Sequence, residues 1–156
     1  MTMASKESSN LRECNHTTIY EKMIEIVNES QSRLDIVSWS FNEVEKLPAF
    51  IDSLRLAKRR GVEIRLYYGT KGEEWQKKRT LNQIGIVSRK VGGIISIPLV
   101  DNHAKCVLSE RNGMMFTSNI DGSRGLLSGF ELGYILNESE RRTALSYLKI
   151  IENYGK

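Results

Sequence analysis

The sequence predicts an α/β sandwich, in which one mixed β-sheet is flanked by helices. Its 156 residues suit a single domain with one core. Hydrophobic residues make up 40% of the chain and charged residues 27%, which is typical of a folded globule and excludes a disordered chain. Stretches with helical periodicity alternate with stretches of period two, and this alternation predicts helices packed around one sheet.

The chain begins with a polar stretch that lacks periodicity, so residues 1–14 are predicted to be a disordered leader and residues 15–156 a single domain. From Thr17 onwards, apolar residues recur at intervals of three and four, which predicts a helix to about Ser32. Residues 34–41 alternate and are rich in β-branched and aromatic side chains. They are predicted to form a strand.

The middle of the chain predicts a second helix and strand, followed by a basic helix. Pro48 suits the first turn of a helix that ends near Gly61, a predicted C-cap. Residues 62–68 predict a strand and residues 72–85 a basic helix. Short strands, interrupted by glycines, are expected over residues 86–97.

The last third predicts a β-hairpin, another strand and a closing helix. The hairpin strands are expected at 103–109 and 113–118, because an Asn-Gly pair between them is a strong turn signal. Residues 130–136 predict a further strand. The final helix is expected to begin at Ser139, as its N-cap, and to reach about Tyr154.

The N-terminal segment and the cysteines bear on location. The chain has no apolar run of about 20 residues and no signal-peptide core, so a cytoplasmic protein is expected. Cys14 and Cys106 are too few and too far apart for a disulfide framework or a zinc site. No metal or other cofactor is implied, and no stable membrane association is expected.

Basic side chains are concentrated in the middle of the chain. Residues 55–90 carry 11 basic and 3 acidic side chains, a net charge of +8. Such a cluster either lies on a solvated helix surface or attracts a polyanion such as nucleic acid. The candidate nucleic-acid-binding residues are Arg59, Arg60, Lys71, Lys77, Lys78 and Arg79.

Side chains suited to phosphate chemistry occur in the predicted hairpin and the strand after it. His103 and Lys105 are two residues apart, so in a strand they share one face. Ser118 and Asn119 end the neighbouring strand, and Glu131 lies in a third. An imidazole nucleophile, a cation, two neutral donors and a carboxylate that fixes the ring tautomer form a set able to hold and attack a phosphate.

The motif His103-x-Lys105, with Glu110 five residues after the lysine, resembles the HxK signature of the phospholipase D superfamily. The resemblance covers residues 17–154 and implies a metal-independent phosphodiesterase or phosphatidyl transferase that works through a covalent phosphohistidine. It implies that His103 is the nucleophile and that Lys105 binds phosphate. Ser118 and Asn119 match the small polar residues of the phosphate pocket, and Glu131 matches the carboxylate that hydrogen-bonds the histidine.

Two positions depart from the family pattern, and the motif occurs once. Glu110 stands where the family usually has Asp, and Thr117-Ser118-Asn119 stands where it commonly has Gly-Ser-x-Asn. The implied mechanism needs two histidines, one to attack and one to protonate the leaving oxygen. His16, the other histidine, has no lysine two residues on, so a C2 homodimer that shares one active site is expected.

Three functions fit these features, and the first is preferred. An endonuclease acting on DNA or RNA fits the short chain and the basic segment. Tyr67, Tyr68 and Trp75 either stack on unpaired bases or pack in the core, and one of the two tyrosines must face inward in a strand. A phospholipase or phosphatidyl transferase predicts an exposed apolar rim or an amphipathic helix, which the sequence does not indicate. A non-catalytic ligand-binding or dimerisation domain is the third, supported by Glu110 in the aspartate position.

Overall fold

The predicted alternation of helices and strands is present in a computed structural model, which describes residues 16–154. The predicted leader at 1–14 lies outside the described residues. The elements are α1 (His16–Glu29), β1 (Arg33–Ser38), β2 (Phe41–Asn42), a 3₁₀ turn (Val44–Lys46), α2 (Pro48–Arg59), β3 (Glu63–Gly69), α3 (Glu74–Val91), β4 (Ile95–Leu99), β5 (Cys106–Ser109), β6 (Gly113–Phe116), β7 (Ile120–Asp121), β8 (Gly133–Ile135) and α4 (Glu138–Tyr154).

A six-stranded mixed sheet lies at the centre of the fold, with strand order β4-β3-β1-β5-β6-β8. Strands β4, β3 and β1 are parallel, and β5, β6 and β8 continue the sheet with antiparallel pairing. The short strands β2 and β7 pair with each other in a separate parallel ladder. The mixed sheet flanked by helices confirms the predicted fold class.

The central strands of the sheet are buried on both faces, and strand alternation decides which side chain faces which helices. Leu34 and Ile36 of β1 join the larger core, which also contains apolar residues of α1, α2 and α3. Val37 of β1 and Tyr67 of β3 point to the opposite face, where Leu148 of α4 covers them. Three helices therefore pack on one face and α4 on the other. Within residues 16–154, no helix has the length and apolar character needed to cross a membrane.

Helix α3 is longer than the sequence pattern predicted. The prediction ended it at Gly85 and placed short strands over 86–97, but the helix continues to Val91. Val87 and Val91 are buried on the same side of the helix as Ile84, and their burial outweighs the low helix propensity of one glycine. Gly92, in the left-handed region at φ 99°, ends the helix.

The predicted hairpin and closing helix are present, but the helix has a different N-cap residue from the one predicted. Strands β5 and β6 pair in antiparallel register, and the hydroxyl of Ser109 accepts from the backbone N–H groups of Arg111 and Asn112 in the turn. The N-cap of α4 is Asn137 rather than Ser139. Its side-chain oxygen accepts from the N–H of Glu140 at 2.8 Å, and the Glu140 carboxylate accepts from the N–H of Asn137 at 2.9 Å.

Candidate active site

His103 lies on an irregular segment that leads into β5, because the strand begins at Cys106 and not at His103 as predicted. The segment turns at Asp101, whose φ is 59°. The side-chain oxygen of Asn102 then accepts from the N–H of Ala104 at 3.0 Å. The imidazole of His103 is exposed and has no hydrogen-bond partner among residues 16–154. The loop thus presents an accessible imidazole at the edge of the sheet.

Lys105 lies at the same edge, one residue before β5. Its carbonyl oxygen accepts from the N–H of Phe116 at 3.0 Å, which extends the β5–β6 pairing by one bond. Its ammonium donates to the carbonyl oxygen of His103 at 3.2 Å. An ammonium carries three donors, so this bond leaves two of them for an anion beside His103.

Thr117, which the sequence analysis did not choose, presents its hydroxyl at this edge in place of Ser118. The exposed Thr117 pairs with Leu132 through a backbone hydrogen bond of 3.0 Å. Ser118 is 2% exposed, and its hydroxyl donates to the carbonyl oxygen of Asn119 at 2.7 Å. Because Phe116 faces the core, the alternation of a strand turns Thr117 outward and Ser118 inward. Both hydroxyls donate their single hydrogen within the protein, Thr117 to the Glu131 carboxylate and Ser118 to the Asn119 carbonyl oxygen.

Asn119 is held in place by the end of β1. Its side-chain oxygen accepts from the hydroxyl of Ser38 at 3.2 Å and from the N–H of Ser40 at 3.4 Å. The same Ser38 hydroxyl accepts from the N–H of Ile120 at 3.1 Å. Because its oxygen is used in this way, Asn119 can offer a ligand the N–H donors of its amide.

Glu131 precedes β8 instead of lying within the predicted strand 130–136. Its carboxylate accepts a short hydrogen bond from the Thr117 hydroxyl, and among the described residues it makes no bond to His103. Thr117 is itself paired with Leu132, so the bond fixes Glu131 relative to the end of β6. The structure therefore brings Glu131 to the same edge as His103, in contact with Thr117.

Glu110 lies at the other end of β5, away from His103 and Lys105. One carboxylate oxygen accepts from the backbone N–H groups of Gln31, Ser32 and Arg33 at 2.7, 2.6 and 3.2 Å. Burial opposes ionisation, but these N–H groups outweigh it and hold the pKa of Glu110 below its ordinary value. Its contacts tie the α1–β1 turn to the hairpin, so the Glu110 position of the signature, counted among the candidate catalytic residues, has a structural part here.

Replacing Glu110 by alanine is expected to lower the free energy of unfolding by about 2 kcal/mol, because three backbone donors lose a charged acceptor. Since the folded state lowers this pKa, the contribution is present at neutral pH and disappears as pH falls through the folded-state pKa. Urea denaturation from pH 7 downwards checks this. The difference between Glu110→Ala and the wild type should shrink on acidification, and a difference independent of pH would contradict the assignment.

Cys106 follows Lys105 but is not a candidate nucleophile. Its side chain is 7% exposed, and burial raises the pKa of the thiol to about 12, with a smaller contribution from the nearby Asp35 carboxylate. A thiol with that pKa is protonated at neutral pH. Over residues 16–154, no three His, Cys, Asp or Glu side chains are grouped as metal ligands would be.

The structure separates the six candidate nucleic-acid-binding residues into two groups. Arg59 and Arg60 lie at the end of α2, which leads into the start of β3, at the edge opposite the candidate site. The Arg60 guanidinium donates to the carbonyl oxygens of Val27 and Ser30 at 2.9 and 3.0 Å, where it closes the end of α1. These two arginines are therefore not part of a surface that includes His103.

The other four basic residues lie at the candidate site's edge of the sheet, after β3 and in the first turns of α3. They are Lys71, Lys77, Lys78 and Arg79. The ammonium of Lys71 pairs with Asp101 at 2.5 Å, two residues before His103. A small pocket lined by Trp39, Ser40 and Gln76, among others, lies between Lys71 and Lys77, with a volume of about 10 Å³, enough for no more than about one water molecule. The positive charge near the site is therefore smaller than the +8 of the whole segment.

Comparison with known proteins bears on the fold. No family model and no curated protein matches the sequence. The structure is similar to Nuc, a phospholipase D family member from Salmonella typhimurium, at 14% identity over 85% of this chain and 84% of that one, with a TM-score of 0.62. NucT from Helicobacter pylori matches at 12% identity over 87% and 88% of the two chains, with a TM-score of 0.61.

A third similar structure comes from a longer protein. Phosphatidylserine synthase of Haemophilus influenzae matches at 10% identity over 86% of this chain and 34% of that one, with a TM-score of 0.62. TrmBL2, an archaeal chromatin protein described as having a novel mode of DNA binding, matches at 13% identity over 89% and 48%, with a TM-score of 0.52. At identities this low, the likeness shows the fold alone.

Proposed function

Because this chain has the phospholipase D superfamily fold, we propose that it is a metal-independent phosphodiesterase that hydrolyses DNA or RNA through a covalent phosphohistidine. The observation that carries the proposal is the meeting of His103, Lys105, Thr117, Asn119 and Glu131 at one edge of the sheet. A nucleophile, a cation, the neutral Asn119 amide and a carboxylate positioned by Thr117 form a set that supports phosphoryl transfer without a metal.

In the proposed reaction, an imidazole nitrogen of His103 attacks the phosphorus atom, and the bond from phosphorus to the leaving oxygen breaks. The Lys105 ammonium and the Asn119 amide stabilise the negative charge on the non-bridging oxygens. Water then attacks the phosphohistidine, which releases the phosphate monoester and restores the imidazole. Glu131, held by Thr117, is assigned to accept the other ring N–H of His103 and fix its tautomer.

The leaving oxygen needs a proton, and we assign its donation to a second copy of the chain. His103 is the only histidine followed two residues later by lysine. A C2 dimer with His103 near the two-fold axis supplies one imidazole to attack and the partner's His103 to donate the proton. When water attacks in the second step, the two histidines exchange roles, and all protons are accounted for.

Mixing wild-type chains with an equal amount of His103→Ala chains under exchange is expected to lower activity per wild-type chain to about half, because mixed dimers hold one histidine and are inactive. Sedimentation velocity should show a dimer for both proteins. A second variant, His16→Ala, should keep its activity. Full activity in a monomer, or loss of activity in His16→Ala, would exclude the shared site.

Nucleic acid is the substrate we favour, because Lys71, Lys77 and Lys78 lie at the same edge as His103 and suit a polyanion. One observation favours a second candidate, hydrolysis of a phospholipid. Leu127, Phe130 and Leu132 are 40, 85 and 39% exposed around Glu131, and such an apolar rim suits contact with a lipid surface or with the second chain. The sequence pattern alone indicated no exposed apolar rim.

The proposed function is tested by cleavage of labelled single-stranded DNA, duplex DNA and RNA in excess EDTA, with phosphatidylcholine and phosphatidylglycerol vesicles as alternative substrates. Cleavage of nucleic acid in EDTA is the expected result. Release of lipid headgroups alone would replace it with the phospholipid function. Cleavage that EDTA abolishes would contradict the mechanism, and a folded dimer inactive on every substrate would favour a non-catalytic binding domain.

A further inference from the structure

Trp75, in the first turn of α3, is a large aromatic side chain held out in solvent. It is 59% exposed, although most tryptophans bury far more of their surface. The guanidinium of Arg79, one helical turn later, lies over the indole ring, with its central carbon 5.2 Å from the ring centroid. This cation–π contact restricts the ring and places a planar cation beside it. Trp75 is therefore exposed and oriented at the same time.

Packing contacts connect the start of α3, which carries Trp75, with the candidate active site. A small pocket beside the start of α3 is lined by Ser40, Lys71 and Lys77, among others, and the N–H of Ser40 donates to Asn119. On its other side, Lys71 pairs with Asp101, next to the loop that carries His103. A strand whose phosphate lies at His103 and that continues past Lys71 and Lys77 therefore passes toward the start of α3, where Trp75 lies.

The chemistry of Trp75 favours one form of nucleic acid. An aromatic ring binds the face of a base, and in a duplex each face is already stacked on a neighbouring base pair. Lysines bind phosphates of any form and do not make this distinction. Glu73 and Glu74 directly precede the tryptophan, so charge alone does not concentrate an anion on it.

We propose that Trp75, backed by Arg79, is a stacking platform for an unpaired base of a strand bound at His103, which makes single-stranded nucleic acid the substrate class of this site. The inference rests on the proposed nuclease function, which leaves the form of the nucleic acid open. Arg79 both orients the indole and contributes its own planar surface and charge to the platform.

Binding is measured by fluorescence anisotropy of a labelled 12-nucleotide DNA in an inactive His103→Ala background. Adding Trp75→Leu is expected to raise Kd at least about fivefold, and Trp75→Phe to raise it less. Neither change should alter the Kd for duplex DNA of the same sequence or for a strand of abasic sites. Tyr147→Leu, at a 63% exposed aromatic residue on α4, serves as the matched control and should leave every Kd unchanged.

The outcomes separate the platform from the nuclease. Two results would overturn the platform even if the wild type cleaves DNA. One is an equal Kd for single strands with and without Trp75→Leu in the His103→Ala background. The other is an equal loss of affinity for single strands and for duplex DNA. A Trp75-dependent affinity for single strands without any cleavage in EDTA would support the platform and reject the nuclease. Trp75-dependent binding to phosphatidylglycerol vesicles, with no loss of affinity for single strands, would make Trp75 a membrane contact and overturn the inference.

Discussion

Substitution of His103 by alanine is expected to lower the rate of phosphodiester cleavage by at least about 10,000-fold, because it removes the atom that attacks phosphorus. The imidazole is exposed and makes no side-chain hydrogen bond within residues 16–154, so its loss removes no hydrogen bond from the described fold. The variant should therefore unfold at the same urea concentration as the wild type. Initial rates on labelled single-stranded DNA in EDTA, together with urea denaturation of each protein, check both statements.

The control for this prediction is the other histidine of the chain. His16→Ala removes the same side chain from a position without the His-x-Lys spacing, and its rate should stay within about twofold of the wild type. A His103→Ala protein that retains a tenth or more of the activity would exclude His103 as the nucleophile. Equal losses in the two variants would point to catalysis by a different arrangement of residues.

Substitution of Asp35 by alanine is expected to lower the free energy of unfolding by about 2 to 3 kcal/mol, because the buried Tyr67 hydroxyl and the partly exposed Arg33 guanidinium lose their shared charged acceptor. Asp35 is fully buried in β1 and accepts two bonds from the Arg33 guanidinium at 2.8 and 3.1 Å. It also accepts from the hydroxyl of Tyr67 at 2.9 Å. Burial, and then the Asp35 charge, raise the pKa of Tyr67, so this hydroxyl remains a donor at neutral pH.

The matched control for Asp35 is Asp52, whose side chain is 64% exposed and pairs with Arg55 one turn along α2. Asp52→Ala should cost less than about 1 kcal/mol, because an exposed ion pair contributes little. Urea denaturation at neutral pH measures both. A cost for Asp35→Ala no larger than that for Asp52→Ala would show that the network on the α4 face of the sheet does not support β1, the strand whose end holds Asn119.

Local patterns were enough to predict the fold class, because they recur over whole elements. The apolar period from Ile19 to Val27, the proline at the start of α2 and the hairpin signal at Asn112 each specify a local conformation that packing then preserves. The end of α3 was not predictable from Gly85 alone. Burial of Val87 and Val91 against the sheet, which is a tertiary effect, decides how far that helix extends.

The site was predicted less completely than the fold. The exposure of its side chains depends on where each strand begins and ends, and the sequence pattern does not determine those bounds. The burial of Ser118 and the exposure of Thr117 follow from the alternation of a strand that buries Phe116, and counting along the strand from that residue gives both. The split of the basic segment between two edges of the sheet had no local signal. Arg60 precedes the start of β3 and Lys71 follows its end, so the direction of that strand places them at opposite ends of the sheet.

The most direct test of the proposed mechanism is to trap the covalent intermediate on His103. A single-stranded oligonucleotide labelled at its 5′ end and another labelled at its 3′ end are mixed with the wild-type protein in EDTA and quenched in alkaline denaturant. A label that stays on the protein, withstands alkali, is released by acid and is absent from His103→Ala is the expected result. Cleavage by the wild type with no labelled protein from either oligonucleotide, and with His103→Ala still active, would contradict the account.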